Sequence, residues 1–309
     1  MSSIIDVKGL TKIFKEVTAV DDLSFSVPKG EVYGFLGQNG AGKSTTIRML
    51  LTLIQPTSGS ISILGKDLQH HRKEILQQTG AIIEKPDLYK YLTALENLSI
   101  MARLSGIHPT RQELMRQLDR VGLAERAESK VKTFSQGMKQ RLGIACALVH
   151  NPQLIVLDEP TNGLDPQGIA DVRNLILSLS RTDGKTVFVS SHLLSEIELV
   201  ADHALIIDKG KKVAEGKVRD LLNPSDTIVL LETGNDEEAR MYLQESQWST
   251  SLQKGKSITL KMHRNDVPAL NHDLVQQGIS VYSLRAKHSL EDYFLSLTTT
   301  NQHVDAYPY

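Results

Sequence analysis

Nine consecutive residues, Gly37-Gln38-Asn39-Gly40-Ala41-Gly42-Lys43-Ser44-Thr45, set three glycines ahead of a lysine and two hydroxyls. That composition suits a chain that wraps around an anion. Glycine reaches backbone angles that other residues avoid, so successive N–H groups can turn inward on one centre. An apolar run at 32–36 precedes the segment and a helical pattern at 43–53 follows it. The helix would add the partial positive charge of its N-terminus. The spacing matches the phosphate-binding loop pattern G-x-x-x-x-G-K-[ST]. It predicts that Lys43 reaches the terminal phosphates of a nucleotide and that Ser44 ligates Mg²⁺ through its hydroxyl.

A second group is Asp158-Glu159, at the end of the apolar run Leu154-Ile155-Val156-Leu157. A buried parallel strand delivers its last residues to the carboxyl edge of the sheet, where ligands bind in open α/β folds. The phosphate loop also leaves the end of a strand, so both groups can face one crevice. Asp158 is then placed to hold Mg²⁺ through water, and Glu159 to orient and deprotonate an attacking water. An apolar strand ending in Asp-Glu is common by itself. Its weight comes from following a phosphate loop in the same chain.

These groups need a sheet to hold them. Short β-branched runs at 4–7, 23–27, 32–36, 60–64, 154–157, 186–190 and 204–207 alternate with helical patterns at 43–53, 166–180 and 193–200. The alternation reads as a mainly parallel α/β sheet. Between 93 and 150 it breaks, with three helical patterns at 93–104, 110–121 and 136–150 and no strand between them. That reads as a helical insertion. Gly216, Asn223-Pro224 and Ser225-Asp226 mark a linker. Beyond it, strands at 227–232, 257–262 and 279–285 and helices at 236–245, 266–277 and 289–297 suit a small α+β domain of ferredoxin-like order, with an extra strand at 248–252. The polar tail 299–309 is expected to be loose.

Between the two chemical groups lies Phe134-Ser135-Gln136-Gly137-Met138-Lys139-Gln140-Arg141-Leu142. It resembles the signature sequence of ABC transporter ATPases. Pro160-Thr161-Asn162-Gly163-Leu164-Asp165-Pro166 resembles their D-loop, Ser190-Ser191-His192 their switch histidine, and Phe14 stands where they carry an adenine-stacking aromatic. The likeness spans roughly residues 4–218, with the motifs in family order. It implies an α/β P-loop NTPase of the ABC ATPase type at 1–218, with a helical subdomain at about 85–150, followed by the small α+β domain at 226–298.

It also implies two ATPase subunits, identical or different, packed head to tail around two ATP molecules. Ser135, Gln136 and Gly137 of one subunit would then meet the γ-phosphate held by the other, and His192 would contact a γ-phosphate. The residues alone leave plainer alternatives open. Ser135 and Asp165 are each suited to cap a helix, and Phe14 to fill a core. For Asp165, capping and a subunit-interface role are compatible.

Two departures from the family pattern stand out. Gln136 and Met138 replace the first glycine and the last glutamine of the signature, while Ser135 and Gly137 remain. Glu84, in Gly80-Ala81-Ile82-Ile83-Glu84-Lys85-Pro86, stands where the family usually has glutamine near the metal. A carboxylate can approach Mg²⁺ or water, but it adds charge and lacks the amide donor. Leu88, Tyr89, Tyr91 and Leu92 occupy the stretch with which the family grips its membrane subunit; they equally suit the loop's own core. The Glu84 variant, the segment 134–142 and Ser289-Leu290-Glu291-Asp292-Tyr293-Phe294-Leu295 resemble ATPases of ABC-2-type exporters, the bacitracin-resistance and lantibiotic-immunity group among them. That implies export by a separately encoded permease.

The bulk numbers agree. The 309 residues are 40% hydrophobic and 23% charged, as in ordinary globular chains. The net charge of −1 brings no basic excess for a nucleic-acid partner. A single cysteine forms no internal disulfide. No apolar run reaches membrane-spanning length and the first residues lack a signal-peptide pattern, so a peripheral position on the cytoplasmic face of a membrane is expected. The competing reading is an ABC-type ATPase serving the ribosome or DNA. Against it stand one phosphate loop instead of two and no sustained heptads.

Overall fold

The computed structural model describes residues 2–222, 227–253, 255 and 257–287. The helix expected at 289–297 and the tail at 299–309 lie outside them. The chain divides into two compact units, the second beginning at Val218.

The first unit opens with β1 (Ser3–Phe14), β2 (Val17–Pro28), β3 (Val32–Leu36) and α1 (Lys43–Leu50). Next come β4 (Ser58–Ile63), β5 (Lys66–Asp67), α2 (Arg72–Gln77) and β6 (Thr79–Ile82). Then α3 (Ala94–Leu104), α4 (Arg111–Arg120) and α5 (Gln136–Leu148) run without a strand between them. The unit ends with β7 (Leu154–Asp158), α6 (Pro166–Arg181), β8 (Thr186–Ser191), α7 (Leu194–Glu198), β9 (His203–Asp208) and β10 (Lys211–Lys217).

These strands form two sheets instead of the one read from the sequence. Strands β1, β2, β4 and β5 pair antiparallel in the order β2-β1-β4-β5. The six-stranded sheet runs β10-β9-β3-β8-β7-β6 and is parallel except for β10. Every residue of β3, β7 and β8 is buried, which explains their unbroken apolar composition. In contrast, β1 buries Ile4, Ile5, Val7 and Leu10 but exposes its last two residues. Phe25 of β2 joins the two sheets, its ring lying 6.0–6.2 Å from those of Tyr33, Phe35 and Phe188.

Several short elements escaped the sequence reading, among them β5 and the helix Val218–Leu221. Thr79–Ile82 is too short and small to look like a strand, yet it is the edge next to β7. Gly80 makes that possible, since a Cβ there would lie 2.2 Å from the Ala147 carbonyl oxygen on α5. Helix α2 has six residues, too few for a clear period, and β10 is mostly charged or small. Helix α1 stops at Leu50, short of the expected 53, because Thr52 turns to φ +58°.

Capping fixes the helical region. Thr93 with Glu96 and Thr110 with Glu113 are reciprocal capping boxes on α3 and α4.

The second unit holds α8 (Val218–Leu221), β11 (Thr227–Thr233), α9 (Asp236–Glu245), β12 (Ile258–Met262), α10 (Val267–Gln276) and β13 (Val281–Lys287). Its sheet runs β12-β11-β13, antiparallel throughout. The strand expected at 248–252 shrinks to one bridge, Leu252 to Leu260. Hydrogen bonds from Ser249 N to Ser246 O and from Ser251 N to Trp248 O hold the preceding residues in turns. Counting that bridge as a strand gives the β-α-β-β-α-β connectivity of ferredoxin-like folds. Trp248 packs into a core with Val229, Leu231, Leu243, Leu260 and Leu270, and its Nε1–H donates to Asp273 Oδ2 at 2.9 Å.

The Phe25 packing sets a test. Phe25→Ala removes the ring joining the two sheets and should lower unfolding free energy by about 3–5 kcal/mol. A shifted urea midpoint at unchanged slope would report it, and a change under about 1 kcal/mol would contradict the packing argument.

Candidate functional site

Strand β3 enters the phosphate loop and α1 leaves it. Gly40 and Gly42 sit at φ +83° and +105°, and Gly42 is the N-cap position of α1. A Cβ on Gly42 would meet the Ala19 carbonyl oxygen at 2.5 Å, so the cradle requires glycine there. Gln38, Asn39 and Gly40 are exposed, Gly37 and Ala41 are buried, and Ser44 and Thr45 are half-buried. Lys43 is 5% exposed. Its ammonium donates to the Gly37 carbonyl at 2.7 Å and the Gln38 carbonyl at 3.3 Å, and lies 3.2 Å from Glu159 Oε1. The lysine thus lies along its own loop and joins it to the carboxylate after β7.

That carboxylate belongs to a connected group. Glu159 stands in the left-handed region at φ +50°, which a non-glycine residue rarely adopts. Its Oε2 lies 2.6 Å from His192 Nδ1. Ser190 Oγ donates to Asp158 Oδ1 at 2.6 Å and accepts from the Glu159 backbone N–H at 3.0 Å. The parallel register makes this possible, since Asp158 pairs with Ser190 across β7 and β8. Ser190 was not singled out from the sequence as a positioning group; its place just before the switch histidine was the available signal.

Asp158 is 1% exposed, and its Oδ2 has no hydrogen-bond partner among the described residues. An orphaned buried carboxylate oxygen is costly unless something takes it up. With Ser44 on α1 it offers hard oxygen ligands, the donor type that Mg²⁺ prefers. These residues fit the metal.

Other expected residues lie apart from this cluster. Ser135 is exposed and caps α5, its Oγ accepting from Met138 N at 3.2 Å. Gln136 is half-buried and Gly137 is buried. Asp165 is exposed and caps α6, its Oδ1 accepting from Gly168 N at 3.0 Å. Among the described residues, no hydrogen bond or ion pair joins either cap to the phosphate loop. Phe14 is not a core residue: it is 45% exposed, with Lys12 Nζ 5.0 Å from the ring centre. Tyr89 and Tyr91 are exposed, while Leu88 and Leu92 are half-buried. Asn97, fully buried, shapes that loop: its Oδ1 accepts from Tyr89 N at 2.8 Å, and its Nδ2 donates to the carbonyls of Thr93 and Tyr89. Glu84 is exposed at φ +58° and pairs at 2.6 Å with Arg48 of α1, a partner the sequence did not announce. Burial pushes the Cys146 thiol of α5 up to about 12, which disfavours its thiolate.

A glycine cradle with its lysine, an acid pair at the neighbouring strand end and a histidine in contact define a P-loop nucleotide hydrolase. Residues 20–162 match the ABC transporter family model. The chain is 44% identical over 301 residues to the bacitracin transport ATP-binding protein BcrA of Bacillus licheniformis, spanning 96% of this chain and 98% of that one. It is 41% identical over 212 residues to the lantibiotic transport ATP-binding protein SrtF of Streptococcus pyogenes, spanning 69% and 90%. A dimeric ATP-binding cassette in a post-hydrolysis state, bound to ADP and Pi, superposes with TM-score 0.63 at 26% identity, over 70% of this chain and 99% of that one. The chain belongs to the ATP-binding subunits of ABC transporters, and it is an ATP hydrolase.

Ser190→Ala should leave Asp158 Oδ1 and the Glu159 N–H without their shared partner. The expected cost is about 1–3 kcal/mol of stability, together with a raised Mg²⁺ requirement for ATP hydrolysis. Turnover measured against Mg²⁺ concentration checks it, and an unshifted curve would remove Ser190 from the site.

Proposed function

We propose that this chain binds ATP with Mg²⁺, closes on a second ATPase subunit, and powers a separate membrane permease that exports a substrate. The observation carrying this reading is Glu159, held between Lys43 and His192 next to the unpartnered oxygen of Asp158. Glu159 serves as general base toward the attacking water, and His192 positions it and contacts the γ-phosphate. Lys43 reaches the phosphates once they occupy the cradle, helped by the backbone of Gly37, Gln38, Asn39, Gly40, Ala41, Gly42, Ser44 and Thr45. Mg²⁺, when bound, neutralises phosphate charge; Ser44, Asp158 and Glu84 are the residues assigned to it. Phe14 offers an exposed ring for the adenine base.

The exposed, capped start of α5 supports the dimer. Its free N–H groups and dipole suit an anion presented from outside the protomer, and Ser135, Gln136 and Gly137 are assigned to the ATP held by the partner subunit. Asp165, exposed on its cap, is assigned to the same seam. The partner is a second copy or a related ATPase.

The exposed Tyr89 and Tyr91, with Leu88 and Leu92 beneath them, form the assigned permease contact. Among the described residues, no helix is long and apolar enough to cross a membrane. We place the chain peripherally on the cytoplasmic face; the similarity to bacitracin and lantibiotic transport ATP-binding proteins supports a transport role over a ribosome or DNA role.

Two experiments test this. Glu159→Gln should slow ATP turnover by about 100-fold or more, within the range for general-base catalysis, and should accumulate an ATP-dependent dimer on size exclusion. Wild-type turnover in that variant would remove the general-base role. Tagged Glu159→Gln protein, purified from detergent-solubilised membranes, should bring down a multi-span membrane protein. That recovery should fall when Tyr89 and Tyr91 are both changed to Ser; undiminished recovery would move the contact elsewhere.

A further inference from the structure

Two glutamates follow the ends of neighbouring strands. Strands β6 and β7 are parallel neighbours, with Ile82 paired to Leu157. Glu84 follows the end of β6 by two residues and Glu159 follows the end of β7 by one, and both turn into the left-handed region, at φ +58° and +50°. Two like charges at adjacent strand ends repel unless each has a counter-ion. Glu159 has Lys43 and His192. Glu84 has Arg48, whose guanidinium lies 2.6 Å from its Oε1.

The backbone at Glu84 is fixed from both sides. Ile82 is in the ladder, and Pro86 lies so close to α5 that a Cβ on Gly143 would meet Pro86 Cβ at 2.4 Å. With the backbone held, the Glu84 side chain, 62% exposed, keeps the freedom to leave or keep Arg48. Arg48 rides on α1, the helix whose N-terminus closes the phosphate cradle. The pair therefore links the nucleotide-binding helix to the segment that begins at Glu84. A glutamine at position 84 would bring no charge for an arginine to hold.

We propose that Arg48 is a positioning residue that draws the Glu84 carboxylate away from the magnesium site, so that metal binding to the ATP-loaded protein must compete with the Arg48–Glu84 pair. This rests on the assignment of Glu84 to the metal made above. Both side chains are solvent-accessible, 43% and 62% exposed, so the competition is modest, of the size seen for exposed ion pairs.

The test is a double-mutant cycle on the full chain carrying Glu159→Gln to block hydrolysis. Calorimetry gives the ATP affinity in excess Mg²⁺ and in EDTA, and the ratio of the two measures how strongly metal and nucleotide assist each other. Arg48→Gln should raise this ratio about two- to fivefold, and Arg48→Lys, which keeps the charge, should leave it near the parent value. Glu84→Gln should lower it, and adding Arg48→Gln to Glu84→Gln should change nothing further. An unchanged ratio in Glu84→Gln would overturn the metal assignment itself. If Glu84→Gln lowers the ratio, the inference about Arg48 fails on any of three results: no rise in Arg48→Gln, an equal rise in the Glu84→Gln background, or an Arg48→Lys protein that behaves like Arg48→Gln. Thermal midpoints of all variants separate these effects from unfolding.

Discussion

The hydrogen bonds of Ser190 hold the centre of this site together. One hydroxyl donates to Asp158 and accepts from the Glu159 backbone. It thereby sets an aspartate in the sheet and the turn that throws the next residue outward. The turn is costly in backbone terms, since Glu159 sits at φ +50°. Because β7 and β8 are parallel and in register there, the serine arrives opposite the aspartate without adjustment. The next positions on β8 carry the chain to His192, whose ring closes on Glu159. Lys43 closes on the same carboxylate from the start of α1, beyond the loop that follows β3, so the segments leaving three adjacent strands meet on one side chain.

That convergence depends on burial. Strands β3, β7 and β8 are covered along their full length, which fixes their register and keeps their ends from sliding. The aromatic contacts from Phe25 to Tyr33, Phe35 and Phe188 extend the same core into the antiparallel sheet. A buried carboxylate oxygen and a left-handed glutamate both cost stability, and this core offsets them.

Much of the arrangement was legible in the sequence because the responsible signals are local. The glycine spacing before Lys43 and the apolar run ending in Asp158-Glu159 each carry their physical reason within a few residues. Helix caps were equally local, and Ser135 and Asp165 both accept from a backbone N–H three residues on. What escaped depends on distant partners. Nothing near Thr79–Ile82 marks a strand; only its pairing with β7 makes it one. The antiparallel sheet was hidden because β1 and β2 are bent by register shifts that blur their alternation. Arg48 reads as an ordinary surface residue of α1 until Glu84, thirty-six positions later, is brought beside it.

Asn97 shows how such distant partners brace the exposed loop against the helices. Its side chain ties Tyr89 to α3 with both amide atoms. The same loop is bonded along its backbone to the stretch before α5, through Val131 N to the Leu92 carbonyl and Lys132 N to the Lys90 carbonyl. Phe134 is buried at the end of that stretch, and Ser135 begins the helix. The loop around Tyr91 is hydrogen-bonded to residues three and four before Ser135, and its start at Pro86 packs against Gly143 of α5. The exposed tyrosines and the capped helix end thus belong to one braced piece.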